Sequence, residues 1–536
     1  MDIEKIIENL TLEELVGQVL CYDVYAKDDP AEVEKIVARI KPGGLFMTGM
    51  TPEQIKAYTD MANKYVKVPV IIASDVENGP EGAIADAGLL PQPMAWGAAN
   101  DEILLEEAGR LTGQICRKAG VHWTYSPIVD LNRNFRCAES NIRAISDDPD
   151  RVIRLAGALT RGMQENFHLV ACAKHFPGQG TDERNSHFCT TINELSKEEW
   201  MQTYGRVYKA MIDQGMPSIM VGHGSLPAFE AEIDPFFGAP PAVLSKSLMT
   251  DLLKGELGFD GCIVSDAMSM IGVAARVDSL DEIAVRYLNA GGDVILFPEP
   301  TDFDNIIKAV ESGVLPIERL KDAVRRMLKL KEKARLFEDQ AALTAAIPDV
   351  TKEELSAVSQ KIADKSIKIV RDYNKILPLG LKAGDRVLFL NVLEPYGGIK
   401  YTEFNAMKDE FEKNGVAVDE LFQAGHKEIQ EIMNGYDAVI VNCKMSSKDY
   451  HGSTLRIGWG SIMTFWRGYV LQHPKFVFVS YGDPYKLYDM PYLKEYINAF
   501  SFTDETQRAV AKVLLGQIVA TGKNPVNFEG FFARED

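Results

Sequence analysis

No stretch of this chain reaches the roughly 18–20 consecutive apolar residues that a membrane-spanning helix requires. Positive charge is in deficit: 58 Lys and Arg stand against 77 Asp and Glu, a formal net charge of −19. Nucleic acids and anionic membranes both need a basic face, so neither is an expected partner. Cysteines are few and scattered, seven in all at 21, 116, 137, 172, 189, 262 and 443, with no CxxC pair. An odd number lying largely in apolar runs argues against a disulfide framework or a zinc site and predicts buried free thiols in a reducing, cytoplasmic setting. The opening MDIEKIIENLTLEELVGQVL carries no basic n-region and no small-residue cleavage site, so no signal peptide is expected. Also missing are HxH and HExxH, GxSxG, any GxGxxG after the apolar run at 386–392, and tandem repeats. Dinucleotide binding and a serine nucleophile therefore lack support, and neither a metal nor a cofactor is expected.

What is present is an ordinary globular composition, 46% hydrophobic and 25% charged over 536 residues. That length predicts two or three domains. Short apolar runs recur at 15–24, 43–49, 68–77, 122–132, 169–176, 217–225, 259–268 and 292–300, separated by amphipathic segments such as 103–120 and 279–292. Eight strand-like runs with helical intervals predict an α/β fold, a (β/α)8 TIM-like barrel over residues 1–338. The charged helical pattern at 339–372 reads as a linker helix. A second strand–helix alternation over 373–536, with runs at 386–392, 436–443, 475–482 and 496–501, predicts a smaller doubly wound α/β sandwich.

The runs end in a consistent way. VIIAS is followed by Asp75, YSPIV by Asp130, VACA by Lys174 and His175, SIMVG by His223, and CIVS by Asp266. In a parallel barrel these ends share one face, the face on which barrel enzymes build their active sites. A single Asp there is explained by helix capping, but five consecutive strand ends with ionisable residues predict a pocket. Its inventory, carboxylates with histidines, a lysine and Arg143, suits glycosyl transfer, in which one carboxylate is the nucleophile and a separate titratable group the acid/base. Lys174 beside His175 disfavours a divalent cation. Trp96 and Trp123 are candidates for an apolar wall behind a sugar ring, although core packing is the commoner role for tryptophan.

KHFPGQGTDERNSH (174–187) resembles the KHFPGHGxTxxDSH motif of bacterial β-N-acetylhexosaminidases in glycoside hydrolase family 3. The similarity extends to LTLEELVGQVL (10–20), LPQPMAWGAAN (90–100), SPIVDLNRN (126–134), NIRAISDDP (141–149) and LGFDGCIVSDAMSM (257–270). In the second half it extends to VSYGDPYKLYDMP (479–491) and TQRAVAKVLLGQIVATGKNPV (506–526). The resemblance implies a retaining exo-β-glycosidase acting on a carbohydrate, a small oligosaccharide or cell-wall fragment, with β-N-acetylglucosaminidase the expected specificity. It implies that Asp266 is the nucleophile, that His187 is the acid/base, and that Asp75, Arg143, Lys174 and His175 bind sugar hydroxyls. His223, Asn185 and Asp182 are expected as supporting residues.

Two departures stand out. Where the family carries an Asp-x-His dyad, this chain has Asn185-Ser186-His187, so the imidazole lacks a partner charge that would favour its cationic form. Asp182 and Glu183 are candidates to supply it. In DVENGPEGA (75–83), Asn78, Gly79, Pro80 and Ala83 stand where the hexosaminidase branch has Gly-Gly-Arg and a further arginine. Two alternatives follow: a glycoside phosphorylase, since a histidine acid/base repels phosphate less than a glutamate does, and a catalytically weakened sugar-binding homologue. In the β-glucosidase branch the acid/base is a second-domain glutamate, a place that the loop at 444–460 is long enough to occupy.

Overall fold

The computed structural model describes residues 2–165, 167–231, 233–393, 403–422, 424–445 and 464–536. The apolar runs of the first half all form strands: β1 (Leu20–Tyr25), β2 (Gly44–Thr48), β3 (Ile71–Ser74), β4 (Trp123–Thr124), β5 (Cys172–Phe176), β6 (Ser218–Val221), β7 (Cys262–Ser265) and β8 (Ile295–Leu296). They pair in parallel in the orders β4-β3-β2-β1-β8 and β5-β6-β7. Parallel bridges Trp123–Val170 and Val264–Val294 join the two sets into a ring. Strands buried on both faces need unbroken apolar sequence, and β3, β6 and β7 are buried at every position. Each strand sends at least one side chain into a common interior, among them Cys21, Phe46, Trp123, Cys172, Met220 and Leu296. The fold is a (β/α)8 TIM-like barrel followed by an α/β sandwich.

The compact unit holding the barrel comprises 1–88, 105–131 and 152–355, and the second comprises 89–104, 132–151 and 356–536. The second unit is built on a six-stranded sheet of order β11-β10-β12-β13-β14-β9. Its strands are β9 (Lys368–Asp372), β10 (Arg386–Leu393), β11 (Ala417–Phe422), β12 (Ala438–Lys444), β13 (Phe476–Ser480) and β14 (Glu495–Asn498). All pair in parallel except β9, which runs antiparallel along β14. The 2-1-3-4-5 order of the parallel strands is the doubly wound arrangement. Period-2 alternation along β10 sends Leu388, Leu390 and Val392 to one core, which also takes in Met94 and Ile142, and Val387 and Phe389 to the other.

Over 339–372 one linker helix was expected. The structure has two helices, Gln340–Ala346 and Lys352–Ser366, and then the edge strand β9. KIVRD is half-buried throughout, so its strand character comes from pairing with β14 rather than from an apolar run. Trp96 and Trp123 are both core residues, 2% and 0% exposed. The Trp123 indole N–H donates to Ser218 Oγ at 2.8 Å, and neither ring forms a pocket wall. Six of the seven cysteines are buried and all are free thiols. Among the described residues no helix is long and apolar enough to cross a membrane.

Lys331, on the helix Ile317–Lys333, is fully buried, and its ammonium donates to Gln18 Oε1 at 2.8 Å. Burial pushes its pKa down from 10.5 to about 7, against a weaker opposing pull from Cys21. The unfolded chain therefore binds more protons than the folded one between these values, so this group adds stability as pH rises from 7 towards 10.5. Lys331→Met is expected to flatten that gain, read as a smaller difference between urea-unfolding free energies at pH 7 and pH 9.5 than in the wild type. An unchanged difference would refute it.

Candidate active site

Asp75 directly follows β3 and Asp266 directly follows β7, while Lys174 and His175 lie within β5 and His223 lies two residues beyond β6. Parallel pairing puts these ends on one face of the barrel. After β3 the chain turns back sharply: a Cβ at Gly82 would lie 2.1 Å from the Asp75 carbonyl oxygen. Thr48 Oγ1 donates to Gly82 O at 2.6 Å. This turn holds both Asp75 and Glu77 against β5. Lys174 Nζ lies 2.7 Å from Asp75 Oδ1 and 2.8 Å from Glu77 Oε1, with the lysine side chain 4% exposed and Asp75 45%. A buried ammonium is tolerated only when paired, and this one has two carboxylates. Glu77 was not anticipated as a site residue. The available signal was its place two residues after Asp75, in the same turn beyond β3.

His175 is oriented by Asp130, which is fully buried. Asp130 Oδ2 accepts from His175 Nδ1 at 2.8 Å, and Oδ1 accepts the backbone N–H groups of His175 at 3.2 Å and Gln179 at 2.8 Å. With Nδ1 bonded to a carboxylate, the opposite nitrogen, Nε2, is the one turned to other partners. Asp266 is fixed at its backbone: its N–H donates to Val221 O at 2.8 Å, and His223 Nε2 donates to Ala267 O at 2.8 Å. His223 is therefore a positioning residue for the Asp266 segment. The Asp266 carboxylate accepts the Ala267 N–H at 2.8 Å. Burial pushes its pKa up, but the nearby His175, His223 and Lys174, with the Ala267 N–H, outweigh burial and hold it below the usual 3.8.

His187 stands on the loop after β5 and is exposed. Asn185 Oδ1 accepts the His187 backbone N–H at 2.9 Å and meets His187 Nδ1 at 2.7 Å. A backbone N–H can only donate, so the amide oxygen faces the ring and Nδ1 must carry the proton. Nε2 is thus the ring nitrogen on the side away from Asn185. Asp182 does not take the place of the missing dyad charge. Its carboxylate accepts from the Arg184 guanidinium, from the Arg184 N–H at 2.9 Å and from the Ile192 N–H at 2.8 Å, closing the base of the loop. The tip is held against the segment after β7: Thr190 Oγ1 donates to Gly272 O at 2.8 Å, and a Cβ at Gly272 would lie 2.3 Å from Ser186 O. Only glycine allows that approach.

Arg143 belongs to the second unit, on the turn Asn141–Arg143, where its guanidinium donates to Glu139 O at 3.2 Å. Of the loop at 444–460, residues 446–460 lie outside the described residues. Among the described residues no group of three or more His, Cys, Asp or Glu is placed to hold a metal ion.

Removing the ammonium strands two carboxylates beside each other. Breaking a buried pair costs about 3–5 kcal/mol, and the partial exposure of Asp75 reduces that. Lys174→Met is expected to lower unfolding stability by about 2 kcal/mol. Asp75→Asn and Glu77→Gln each leave Lys174 one partner and should cost less. Their combination should cost more than the sum, a coupling that urea denaturation of the four-member cycle measures. Strict additivity would show that the two carboxylates do not share the cation.

Residues 11–330 match the family model for the glycosyl hydrolase family 3 N-terminal domain. A β-N-acetylglucosaminidase/β-glucosidase of Cellulomonas fimi is 29% identical over 542 residues, covering 96% of this chain and 93% of that protein. The solved structure of a β-glucoside phosphorylase bound to 2FGlc superposes with a TM-score of 0.88 at 29% identity, over 98% of this chain and 96% of that one. A family 3 β-N-acetylglucosaminidase from Paenibacillus sp. str. FPU-7 superposes with a TM-score of 0.83 at 25% identity, over 97% and 99%. The barrel, the charged rim at its strand ends and these likenesses agree: the chain belongs to glycosyl hydrolase family 3, enzymes acting on glycosidic bonds.

Proposed function

We propose that this enzyme removes a terminal β-linked sugar, N-acetylglucosamine in the leading reading, through a covalent glycosyl ester on Asp266. The observation that carries the proposal is the electrostatic division of the rim. Asp266 is held below its usual pKa by His175, His223 and Lys174, while His187, with its Nδ1 proton committed to Asn185, presents Nε2 from a loop locked onto the same β7 segment. In the first step a carboxylate oxygen of Asp266 attacks the anomeric carbon, the glycosidic C–O bond breaks, and the departing oxygen takes the Nε2 proton of a cationic His187. In the second step Nε2 takes a proton from water as that water displaces Asp266, which restores both groups. Lys174, with Asp75 half exposed beside it, and His175, oriented by Asp130, hold the sugar hydroxyls. Seven free thiols suit a reducing compartment, and we place the enzyme in the cytoplasm.

A second reading, phosphorolysis, is favoured by the neutral partner of His187. A carboxylate there would repel an anionic acceptor, whereas the Asn185 amide does not, and phosphate needs no general base because it arrives ionised. The likeness to a β-glucoside phosphorylase over almost the full length of both chains supports it. In both readings the glycosyl-Asp266 step is the same.

Reaction with a 2-fluoro glycosyl donor is expected to add one sugar to the peptide containing Asp266, and Asp266→Asn should lower kcat/KM by at least about 10³-fold. Labelling elsewhere would overturn the assignment. Turnover of an aryl β-glycoside with and without phosphate, followed by phosphorus NMR, then separates the acceptors. Sugar-1-phosphate with a phosphate-dependent rate establishes phosphorolysis, and an unchanged rate with free sugar as product establishes hydrolysis.

The neutral dyad has its own consequence. An aspartate at 185 would stabilise imidazolium, so Asn185→Asp is expected to move the alkaline limb of the pH–kcat/KM profile upward by about one pH unit for substrates with poor leaving groups. The shift should vanish for activated aryl leaving groups, which need no proton. A profile that does not move would show that His187 is not the acid. Turnover found only in Asn185→Asp would identify the natural chain as a weakened homologue.

A further inference from the structure

Large apolar side chains exposed singly on a surface need no explanation, but several gathered on interlocking loops beside a reaction centre do. Phe188, adjacent to His187, is 64% exposed, and Ile271, five residues beyond Asp266, is 51% exposed. Their two segments are in direct contact, because Gly272 approaches Ser186 O and accepts from Thr190 Oγ1. A third segment, from the loop after β6, joins them: the Arg276 guanidinium donates to Phe237 O, to Gly238 O at 3.1 Å and to Ala239 O at 2.7 Å, and stacks 5.2 Å from the Phe237 ring centre. This fixes the exposed Phe236–Phe237 pair, 85% and 50% accessible with ring centroids 4.7 Å apart, to the segment after β7. The charged side of the rim is Lys174 with Asp75 and Glu77.

We infer that Phe188 and Ile271, with Phe236 and Phe237 as an outer wall, form a platform for the leaving-group ring of the substrate, either the apolar face of a second sugar or an aryl group. This rests on the proposed reaction, in which Asp266 and His187 flank the bond being cut. A departing oxygen protonated by His187 Nε2 carries its ring past the residue next to His187, which is Phe188. A hydroxyl-studded sugar is gripped by hydrogen bonds on the Lys174 side, and the ring beyond the scissile bond is received by apolar contact. An apolar wall tolerates different rings of similar size because it reads no hydroxyl pattern.

The test compares two donors with the same sugar, a β-glycosyl fluoride, whose leaving group has no ring, and the phenyl β-glycoside. Phe188→Ala and Ile271→Ala are expected to lower the ratio of kcat/KM, phenyl glycoside over fluoride, about tenfold. Phe188→Tyr, which keeps a ring, should preserve the ratio and so exclude a general disturbance of the His187 loop. A ratio within twofold of wild type in both alanine variants would overturn the platform and leave the reaction intact. A wild-type protein that cleaves neither donor would overturn the reaction, and the platform with it.

Discussion

The buried ammonium of Lys174 is the constraint on which this rim depends. A cation whose side chain is only 4% exposed must be neutralised locally, because burial costs it most of its hydration. The chain meets that demand by folding the segment after β3 back through Gly82, so that Asp75 and Glu77 both reach β5. β3 and β5 are not neighbours in the ring, since β4 lies between them. The ion pairs therefore tie together loops that backbone pairing leaves separate. The same cation then acts a second time, as part of the field that keeps Asp266 ionised despite its burial.

A second rule follows from the first: ionisable residues on this face are held in place by their neighbours. Asp130 sets the orientation of His175 through Nδ1. His223 holds the backbone just beyond Asp266 and also helps to lower the pKa of its carboxylate. Asp182 is consumed in closing the His187 loop, through Arg184 and the Ile192 N–H. Such networks cost stability when incomplete and fix geometry when complete. This accounts for the number of charged groups near Asp266 that have no proposed part in bond-breaking.

The barrel was legible in the sequence because strands buried on both faces must be apolar throughout, and the eight runs had to be strands or nothing. The charged strand ends were legible for the same reason, since an Asp or His that closes a run such as CIVS stands out from it. Legibility failed where burial is partial. β9 and β11 are half-exposed edge elements, and KIVRD reads equally well as the end of a helix. It failed also where identity depends on a partner. Trp123 looked available until its indole was found bonded to Ser218. Glu77 carried no expectation from the sequence, and its role shows only in its contact with Lys174. Asp182 and Asn185 lie three residues apart with similar side chains, and only geometry separates the one that closes the loop from the one that faces His187.

That last distinction bears on how the amide at 185 should be understood. A loop that had merely lost its charge would be expected to lose its aim as well, since nothing would then hold Asn185 in register. Instead Asn185 is buried, its oxygen takes both the His187 backbone N–H and the ring Nδ1, and the loop remains pinned at its base by Asp182 and at its tip by Gly272. The geometry of a dyad is kept while its negative charge is absent. An imidazole so held has a fixed tautomer, and it has no carboxylate at 185 to raise its basicity. Under the proposed reaction such a group suits a second step that asks little of a base, either because the acceptor is already ionised or because the ester proposed on Asp266 is reactive enough for water. Under that proposal the neutral amide is a choice of acceptor chemistry written at one position, in a loop that Asp182 and Gly272 hold in place.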